Sequence, residues 1–236
     1  MRKIFFLAFL AVGMIANAQT STTTDTEEIK NNSGIDLGKG KDDNDHVTMH
    51  FSIGMNIPTD APDGLDFAPG RSWEFNWTIA QYDYTPKNWN TTFSAGAGFD
   101  FREYTIRGHK TGFFKAGNLV GIGTCDPAYD DFSSSIYNVS VGMPLLVKQK
   151  FSKNFAISLG AQLNWNYYAR IHNHVEQGDD EMDVSTKKIG QRPFTVDVLG
   201  IVHFSGIGIY CKYSPMSVLK KDRGPEFKSF AVGIYF

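Results

Sequence analysis

The sequence is poor in cysteine, in long apolar segments and in unbalanced charge. Only Cys125 and Cys211 are present, which is too few for the disulfide framework of a small secreted protein. Basic residues number 23 and acidic residues 25, giving a formal net charge of −2, and this balance excludes a basic surface for nucleic acid. After residue 18 there is no run of eighteen apolar residues, so no transmembrane helix is predicted there.

The first residues have the three parts of a secretory signal peptide. Arg2 and Lys3 precede an apolar stretch from residue 4 to 15, and Ala16 and Ala18 are small residues of the kind that a signal peptidase accepts. The apolar stretch is too short to cross a bilayer. We therefore expect residues 1–18 to be removed and the protein to leave the cytoplasm.

The next segment, residues 19–45, is rich in Thr, Asp, Asn and Gly and contains few bulky apolar side chains. Such a composition cannot bury enough apolar surface to fold alone. We predict a flexible periplasmic segment here, followed by one folded unit from residue 46 to 236.

Within that unit, eight segments alternate apolar residues with small or polar ones, which is the period of a β-strand. They are residues 47–57, 72–82, 92–102, 137–148, 155–167, 194–202, 206–214 and 229–236. The sixth segment is the weakest, because Leu199 and Ile201 fall on its polar side. The eighth, SFAVGIYF, places Phe230, Ile234 and Phe236 on one face, which predicts an apolar surrounding for the last strand.

The connections between these segments alternate between short and long. The short ones are residues 83–88, 149–154 and about 204–206, and the long ones, which are polar and rich in Gly, Asp and Pro, are 58–70, 104–133, 171–192 and 215–225. This asymmetry is typical of bacterial outer-membrane barrels, whose periplasmic turns are tight. We predict an all-β fold: an eight-stranded antiparallel up-and-down transmembrane β-barrel with both termini in the periplasm.

Aromatic residues mark both ends of the predicted strands, as the two interfacial girdles of such a barrel require. Those near the long loops are Trp73, Tyr137, Trp165, Tyr167 and Tyr213, and those near the short turns are Tyr82, Trp89, Phe151, Phe155 and Phe236. The alternative, a soluble barrel, would place its polar residues outside. We expect outer-membrane lipid around the barrel, and barrel-assembly machinery that recognises the strand ending at Phe236.

Three stretches, MPLLVKQKFSKNFAISLGAQ, GIGIYCKYSP and the closing VGIYF, with a Gly224-Pro225 step before the last, resemble the PorT-like outer-membrane β-barrel proteins of Bacteroidetes. The resemblance covers roughly residues 47–236. It implies the barrel fold and the outer membrane of a Gram-negative cell. It also implies one alternative function, that of an accessory component in a secretion or assembly machine.

Five charged residues fall on the inward face of the predicted strands: Glu74, Asp100, Arg102, Asp197 and Lys212. An eight-stranded barrel is filled by its own side chains, so an open diffusion pore is not expected. Buried opposite charges are held by pairing with one another. We predict a structural polar network in the lumen, with a proton or ion relay as the alternative.

Loops on a rigid scaffold are where binding is expected, and a structural or surface-recognition role through the extracellular loops is the predicted function. The second long loop supplies the aromatic contact candidates Phe113, Phe114, Tyr129 and Phe132. The third carries His172, His174, Asp179, Asp180, Glu181 and Asp183. These residue types bind metals, but no fixed ligand spacing is matched, so neither a metal nor a cofactor is predicted.

The remaining alternative is a small barrel enzyme acting on outer-leaflet lipid. His109 and the serines at 133–135 are the residues that such an enzyme would use as base and nucleophile. No nucleophile elbow or triad spacing supports that assignment. The chain is therefore predicted not to be an enzyme.

Overall fold

A computed structural model of the protein describes residues 34–39, 45–108, 110–126, 129–178 and 180–236. Within these ranges the chain forms one short 3-10 helix, Pro69–Arg71, and twelve strands. The strands are β1 (Ile35–Lys39), β2 (Asp45–Thr59), β3 (Trp73–Tyr84), β4 (Thr91–Thr105), β5 (Thr111–Ala116), β6 (Leu119–Thr124), β7 (Asp131–Lys150), β8 (Phe155–Gln177), β9 (Asp180–Lys187), β10 (Phe194–Phe204), β11 (Ile207–Ser214) and β12 (Lys228–Tyr235). Over these ranges no helix has the length and apolarity that crossing a membrane requires.

Eight of the strands close into a ring. Successive members pair antiparallel in the order β2, β3, β4, β7, β8, β10, β11, β12, and β12 pairs with β2 again. The closing seam runs from Lys228 opposite Thr59 to Tyr235 opposite Ser52. The predicted eight-stranded antiparallel up-and-down barrel is therefore confirmed.

Two glycines allow the strands to approach closely at the seam. Gly54 lies directly opposite Gly233. A Cβ atom on Gly54 would stand 2.4 Å from the Tyr210 hydroxyl, and one on Gly233 would stand 2.1 Å from the carbonyl oxygen of Ile53. Glycine is required at both positions because any side chain would collide with a neighbour.

The connections are sorted between the two ends of the barrel as the sequence predicts. One end carries the turns β3–β4, β7–β8 and β10–β11, and the last of these is only Ser205 and Gly206. Both residues have positive φ, 49° and 87°, as a tight hairpin turn that follows the strand twist requires. All four long connections lie at the other end.

The long connections contain more regular structure than their composition predicts. β5 and β6 form a hairpin inside the second one. β7 and β8 continue past the barrel wall, and β9 pairs along the outer part of β8 from Arg170 opposite Lys187 to Gln177 opposite Asp180. We call this three-stranded projection, residues 131–137, 170–177 and 180–187, the ribbon.

The N-terminal side of the barrel also differs from the prediction. β1 pairs with β2 from Ile35 opposite Met49 to Lys39 opposite His46, on the edge that β12 leaves open beyond Phe236. The predicted flexible segment up to residue 45 is therefore wrong for β1, because the open edge of β2 offers backbone hydrogen bonds that the isolated segment lacks. Residues 1–33 and 40–44, and with them the predicted signal peptide, lie outside the described residues.

The two faces of the barrel wall have opposite chemistry. Outward side chains are large and apolar, and many are more than a third exposed: Ile53, Met55, Ile79, Phe93, Met143, Leu145, Val147, Leu159, Leu163, Val196, Val198, Val202, Ile207, Ile209 and Ile234. We call this surface the apolar belt. β10 alternates without a break, because Leu199 and Ile201 are buried in the lumen while Val198 faces out.

Candidate functional site

The lumen contains a cluster of charged side chains centred on Arg102. Its Nε lies 3.2 Å from Oε2 of Glu74 and its Nη2 lies 2.7 Å from Oδ2 of Asp100, and it also contacts Asp197. The Lys212 ammonium lies 2.8 Å from Glu74 and 2.7 Å from Asp100. All five residues are between 0% and 4% exposed. The structure thus brings together the five charged residues singled out by their inward position.

Two amides extend this cluster across the lumen. The side chain of Gln162 donates to Oδ2 of Asp100 at 2.8 Å, and that of Asn164 donates to Oδ2 of Asp197 at 2.6 Å. Sequence reasoning did not name either residue as part of the network. Both nevertheless stand at inward positions of the fifth alternating segment, so parity would have found them.

Two hydroxyls complete it. Tyr210 donates its phenolic proton to Oε1 of Glu74 at 3.0 Å, and the Ser214 hydroxyl accepts from Nη1 of Arg102 at 3.0 Å. Hydrogen bonds to ionised partners are stronger than neutral ones. The network therefore ties five strands, β3, β4, β8, β10 and β11, together through the barrel interior.

An apolar layer lies below the charged network, toward the short turns. It consists of Leu146, Leu199, Ile201, Tyr210, Ala231 and Tyr235. The cavities on its two sides measure about 10 and 20 Å³, which is room for about one water molecule each. The barrel interior is thus packed in layers at this level.

A second polar group lies beyond that layer, around Asp83. The carboxylate accepts hydrogen bonds from Thr48 at 2.8 Å, from Gln81 at 2.8 Å and from Ser94 at 2.5 Å. The sequence predicts a turn that begins at Asp83, whereas β3 continues to Tyr84 and a bulge between Thr78 and Ala80 shifts its inward parity. Asp83 therefore points inward although it stands in a segment read as a turn.

The four long connections pack on one another over the end of the barrel at which they lie. Each connection contributes buried apolar side chains to one shared core: Leu65, Phe67, Ile106, Phe113, Val120, Ile189, Val218, Leu219 and Phe227, together with Tyr104, Ile136, Ala169 and Ile171 from the strand ends. The ring of Phe67 lies 4.8 Å from that of Phe227 and 6.3 Å from that of Phe113, measured between centroids. We call this structure the loop cap.

The loop cap corrects part of the predicted contact surface. Phe113 is 0% exposed and Phe132 2%, so neither can contact a partner, because both are buried within the loops. Phe114 is 39% exposed and stacks on Phe132 with ring centroids 6.1 Å apart, and Tyr129 is half-buried. Of the four candidates, these last two remain accessible.

On the ribbon, His174 lies between two carboxylates. Its Nδ1 is 2.9 Å from Asp183 and its Nε2 is 3.2 Å from Glu176. These hydrogen bonds, the one to Asp183 first, raise the pKa of the His174 imidazole above its ordinary 6.5. The hydrogen bond from His174 in turn lowers the pKa of the Asp183 carboxyl below its ordinary 3.8.

We expect the pairing of β9 with β8 to depend on pH through this contact. Protonated His174 stabilises this pairing fully below pH 6.5, and the stabilisation is lost as the pH rises through the raised pKa of His174. The stabilisation by ionised Asp183 is lost as the pH falls through the lowered pKa of that carboxyl. Amide hydrogen exchange of residues 180–187, corrected for the intrinsic rate, should therefore be slowest at pH values between the pKa of Asp183 and that of His174. In His174→Gln, the protection of these amides should no longer fall as the pH rises. An unchanged alkaline profile in that variant would contradict the assignment.

The predicted catalytic and metal candidates are placed as follows. Ser134 is 1% exposed, and its hydroxyl donates to Asn173 at 2.6 Å and accepts from the backbone N–H of Phe113, which is a structural position. His109 and Asp179 lie outside the described residues. In the part of the chain that is described, no group of three or more His, Cys, Asp or Glu side chains has a geometry for a metal ion. Cys125 and Cys211, both described, are not joined by a disulfide.

Comparison with known proteins adds one distant similarity in structure. No family model and no curated protein matches the sequence. Among solved structures, the chain is similar to the crystal structure of Ail, the attachment invasion locus protein of Yersinia pestis. The identity is 14%, the alignment covers 82% of this chain and 99% of that chain, and the TM-score is 0.34. We draw nothing on function from a similarity at that level, and the PorT-like resemblance stays a prediction.

Proposed function

We propose that this protein is an integral outer-membrane β-barrel that acts at the cell surface by recognition, through the loop cap and the ribbon. The observation that carries the proposal is the apolar belt around a closed barrel whose interior is polar. A barrel dissolved in water has the opposite arrangement, because burial of apolar surface drives its folding.

The extent of the apolar belt supports lipid as its solvent. Ile209 is 64% exposed, Leu159 63% and Val198 56%. Soluble monomers rarely expose contiguous apolar patches larger than a few hundred Å², whereas this surface extends along all the strands of the ring. Closure of the ring also satisfies the backbone groups that an open sheet edge would leave unpaired in hydrocarbon.

The packing of the interior supports recognition over conduction. The charged network, the apolar layer and the loop cap occupy successive levels between the two ends of the barrel. The outer surface of the ribbon is open by contrast, and every residue of β9 except Thr186 is exposed. A rigid scaffold that holds an exposed ribbon and a packed cap is suited to binding a partner.

The lipid-enzyme alternative is disfavoured by the position of Ser134, whose hydroxyl is buried and bonded to Asn173 of the ribbon. An accessory role in a secretion machine is compatible with a recognition surface and differs from it only in the partner. Affinity purification of the detergent-solubilised barrel would separate the two, since a machine component should copurify with other membrane proteins.

We expect the protein to fractionate with the outer membrane and to migrate faster on a gel when unheated than when boiled. The reason is that a closed barrel resists detergent and stays compact until heat breaks the strand ladder. The boiled sample is the unfolded reference. A protein that is found in the soluble periplasmic fraction and shows no mobility shift would contradict the membrane proposal.

A further inference from the structure

A cleft of about 470 Å³ opens at the rim of the barrel, between the strand ends and the loop cap. Its volume is in the range of small-molecule sites, about 300–1,000 Å³. The side chains that give it chemical character are those of Asp60, Arg192, Met216, Ser217, Glu226 and Lys228. It is therefore amphipathic, with two cations, two carboxylates and an apolar wall.

Arg192 is held rigidly at this cleft. Its backbone N–H donates to the carbonyl of Val218 at 2.9 Å, and its own carbonyl accepts from the side chain of Asn166 at 2.9 Å. Its Nε donates to the carbonyl of Ser217 at 3.2 Å. No described residue bonds its two Nη groups, so the outer fork of the guanidinium is fixed in direction and available to a ligand.

Ser217 forms part of the wall behind the Arg192 guanidinium. It is 8% exposed and lines the cleft, yet its hydroxyl has no hydrogen-bond partner among the described residues. Nearly all buried polar side chains in folded proteins have such a partner. The oxygen is itself shielded from the open space of the cleft, so we assign it no ligand contact.

The other charged side chains in the cleft are one ion pair and one separate carboxylate. Lys228 lies 2.8 Å from Asp60, so this carboxylate is already neutralised. Glu226 is exposed at the mouth of the cleft and can accept hydrogen bonds from hydroxyl groups. The positive charge of Arg192 therefore remains for an anion.

We propose that this cleft binds an anionic sugar, with its phosphate or other oxyanion on the Arg192 fork and its hydroxyls on Glu226. Arginine recognises such oxyanions through two parallel hydrogen bonds. Met216 supplies an apolar wall for the carbohydrate ring.

The position of the cleft gives this ligand two sources. Lys228 shares its face of β12 with Phe230 and Ile234 of the outer wall, so the cleft opens outward at the long-loop rim. In the proposed membrane orientation this is the level of the outer-leaflet headgroups, and a phosphorylated lipid headgroup is then one source. A soluble phosphorylated glycan is the other. Only the choice of source rests on the proposed function.

The test is isothermal titration of the full-length protein, folded in detergent, with glucosamine 1-phosphate. Glucosamine, which lacks the phosphate, is the control ligand. A parallel titration uses diphosphoryl lipid A in mixed micelles. Arg192→Gln should weaken binding by about tenfold or more, because a charge-assisted hydrogen-bond pair is lost. Lys228→Gln should weaken it less. Arg107→Gln, at an exposed loop arginine outside the cleft, is the matched control and should bind as the unchanged protein does.

Each outcome decides the proposal. Tighter binding of lipid A than of the soluble phosphate assigns the ligand to the membrane, and the reverse order assigns it to solution. Either order supports the cleft when the binding weakens in Arg192→Gln. Equal binding of glucosamine and its phosphate, or full affinity in Arg192→Gln, overturns it. Gel mobility of the unheated variant shows that it is folded. If Arg192→Gln does not fold, Arg192→Lys decides, because lysine keeps the charge but lacks the two parallel donors, and full affinity in that variant would equally overturn the assignment. Because the soluble arm needs no membrane, its failure is distinct from failure of the membrane proposal.

Discussion

Replacing Arg102 by Met is expected to destabilise the barrel by about 3–5 kcal/mol, the cost of breaking a buried ion pair by removing one partner. Arg102 contacts all three carboxylates of the network, Glu74, Asp100 and Asp197. Without it, Lys212 is the single cation left among them. Methionine fills a similar volume, so the loss reports charge and not a cavity.

The measurement is the urea dependence of unfolding of the refolded barrel, followed by tryptophan fluorescence. Arg107→Met, at an exposed arginine of the second long loop, is the control and should change the free energy of unfolding by no more than about 0.5 kcal/mol. If Arg102→Met and Arg107→Met unfold at the same urea concentration, the network does not stabilise the fold. A double variant with Asp197→Asn should lose less than the sum of the single losses, because the two residues are in contact.

The sequence predicts where the barrel strands lie and which side chains enter the lumen. This is possible because the lumen and the outer surface of the barrel are different environments. A strand has a period of two, so each residue of the alternation is assigned to one solvent or the other. This is why Glu74, Arg102 and Lys212 were placed together from parity alone. The rule is interrupted where a bulge adds a residue, as it does between Thr78 and Ala80 of β3. Asp83, which the sequence predicts in a turn, points inward beyond that bulge.

The loop cap does not follow from the sequence, because its contacts join residues that are far apart along the chain. Phe67, Phe113 and Phe227 lie in three different connections, and each stands in a polar stretch that resembles an exposed loop. Nothing local shows that the rings meet. The sequence therefore predicts a contact surface from the aromatic residues of the second long loop, whereas Phe113 is in fact the buried centre of the cap. The ribbon was missed similarly, because β9 is almost entirely polar and is held by pairing with β8.

The second large effect depends on whether lipid or water surrounds the outer wall of the barrel. Val198 stands near the middle of β10 in the apolar belt and is 56% exposed. In lipid, Val198→Arg should destabilise the barrel by about 2–4 kcal/mol, the cost of arginine near the midplane of a bilayer. In water the same change at an exposed position should cost no more than about 0.5 kcal/mol. The expected loss therefore differs severalfold between the two solvents.

The measurement is the free energy of unfolding in lipid vesicles, with Val184→Arg as the matched control. Val184 has a similar exposure, 43%, but lies on β9 of the ribbon, outside the apolar belt. A large loss for Val198→Arg with almost none for Val184→Arg would place lipid against β10 and water against β9, because the two variants differ only in what surrounds the new charge. Equal small losses at both positions would instead mean that water reaches the belt. The membrane assignment would then be wrong, even though the barrel and its internal network would stand unchanged.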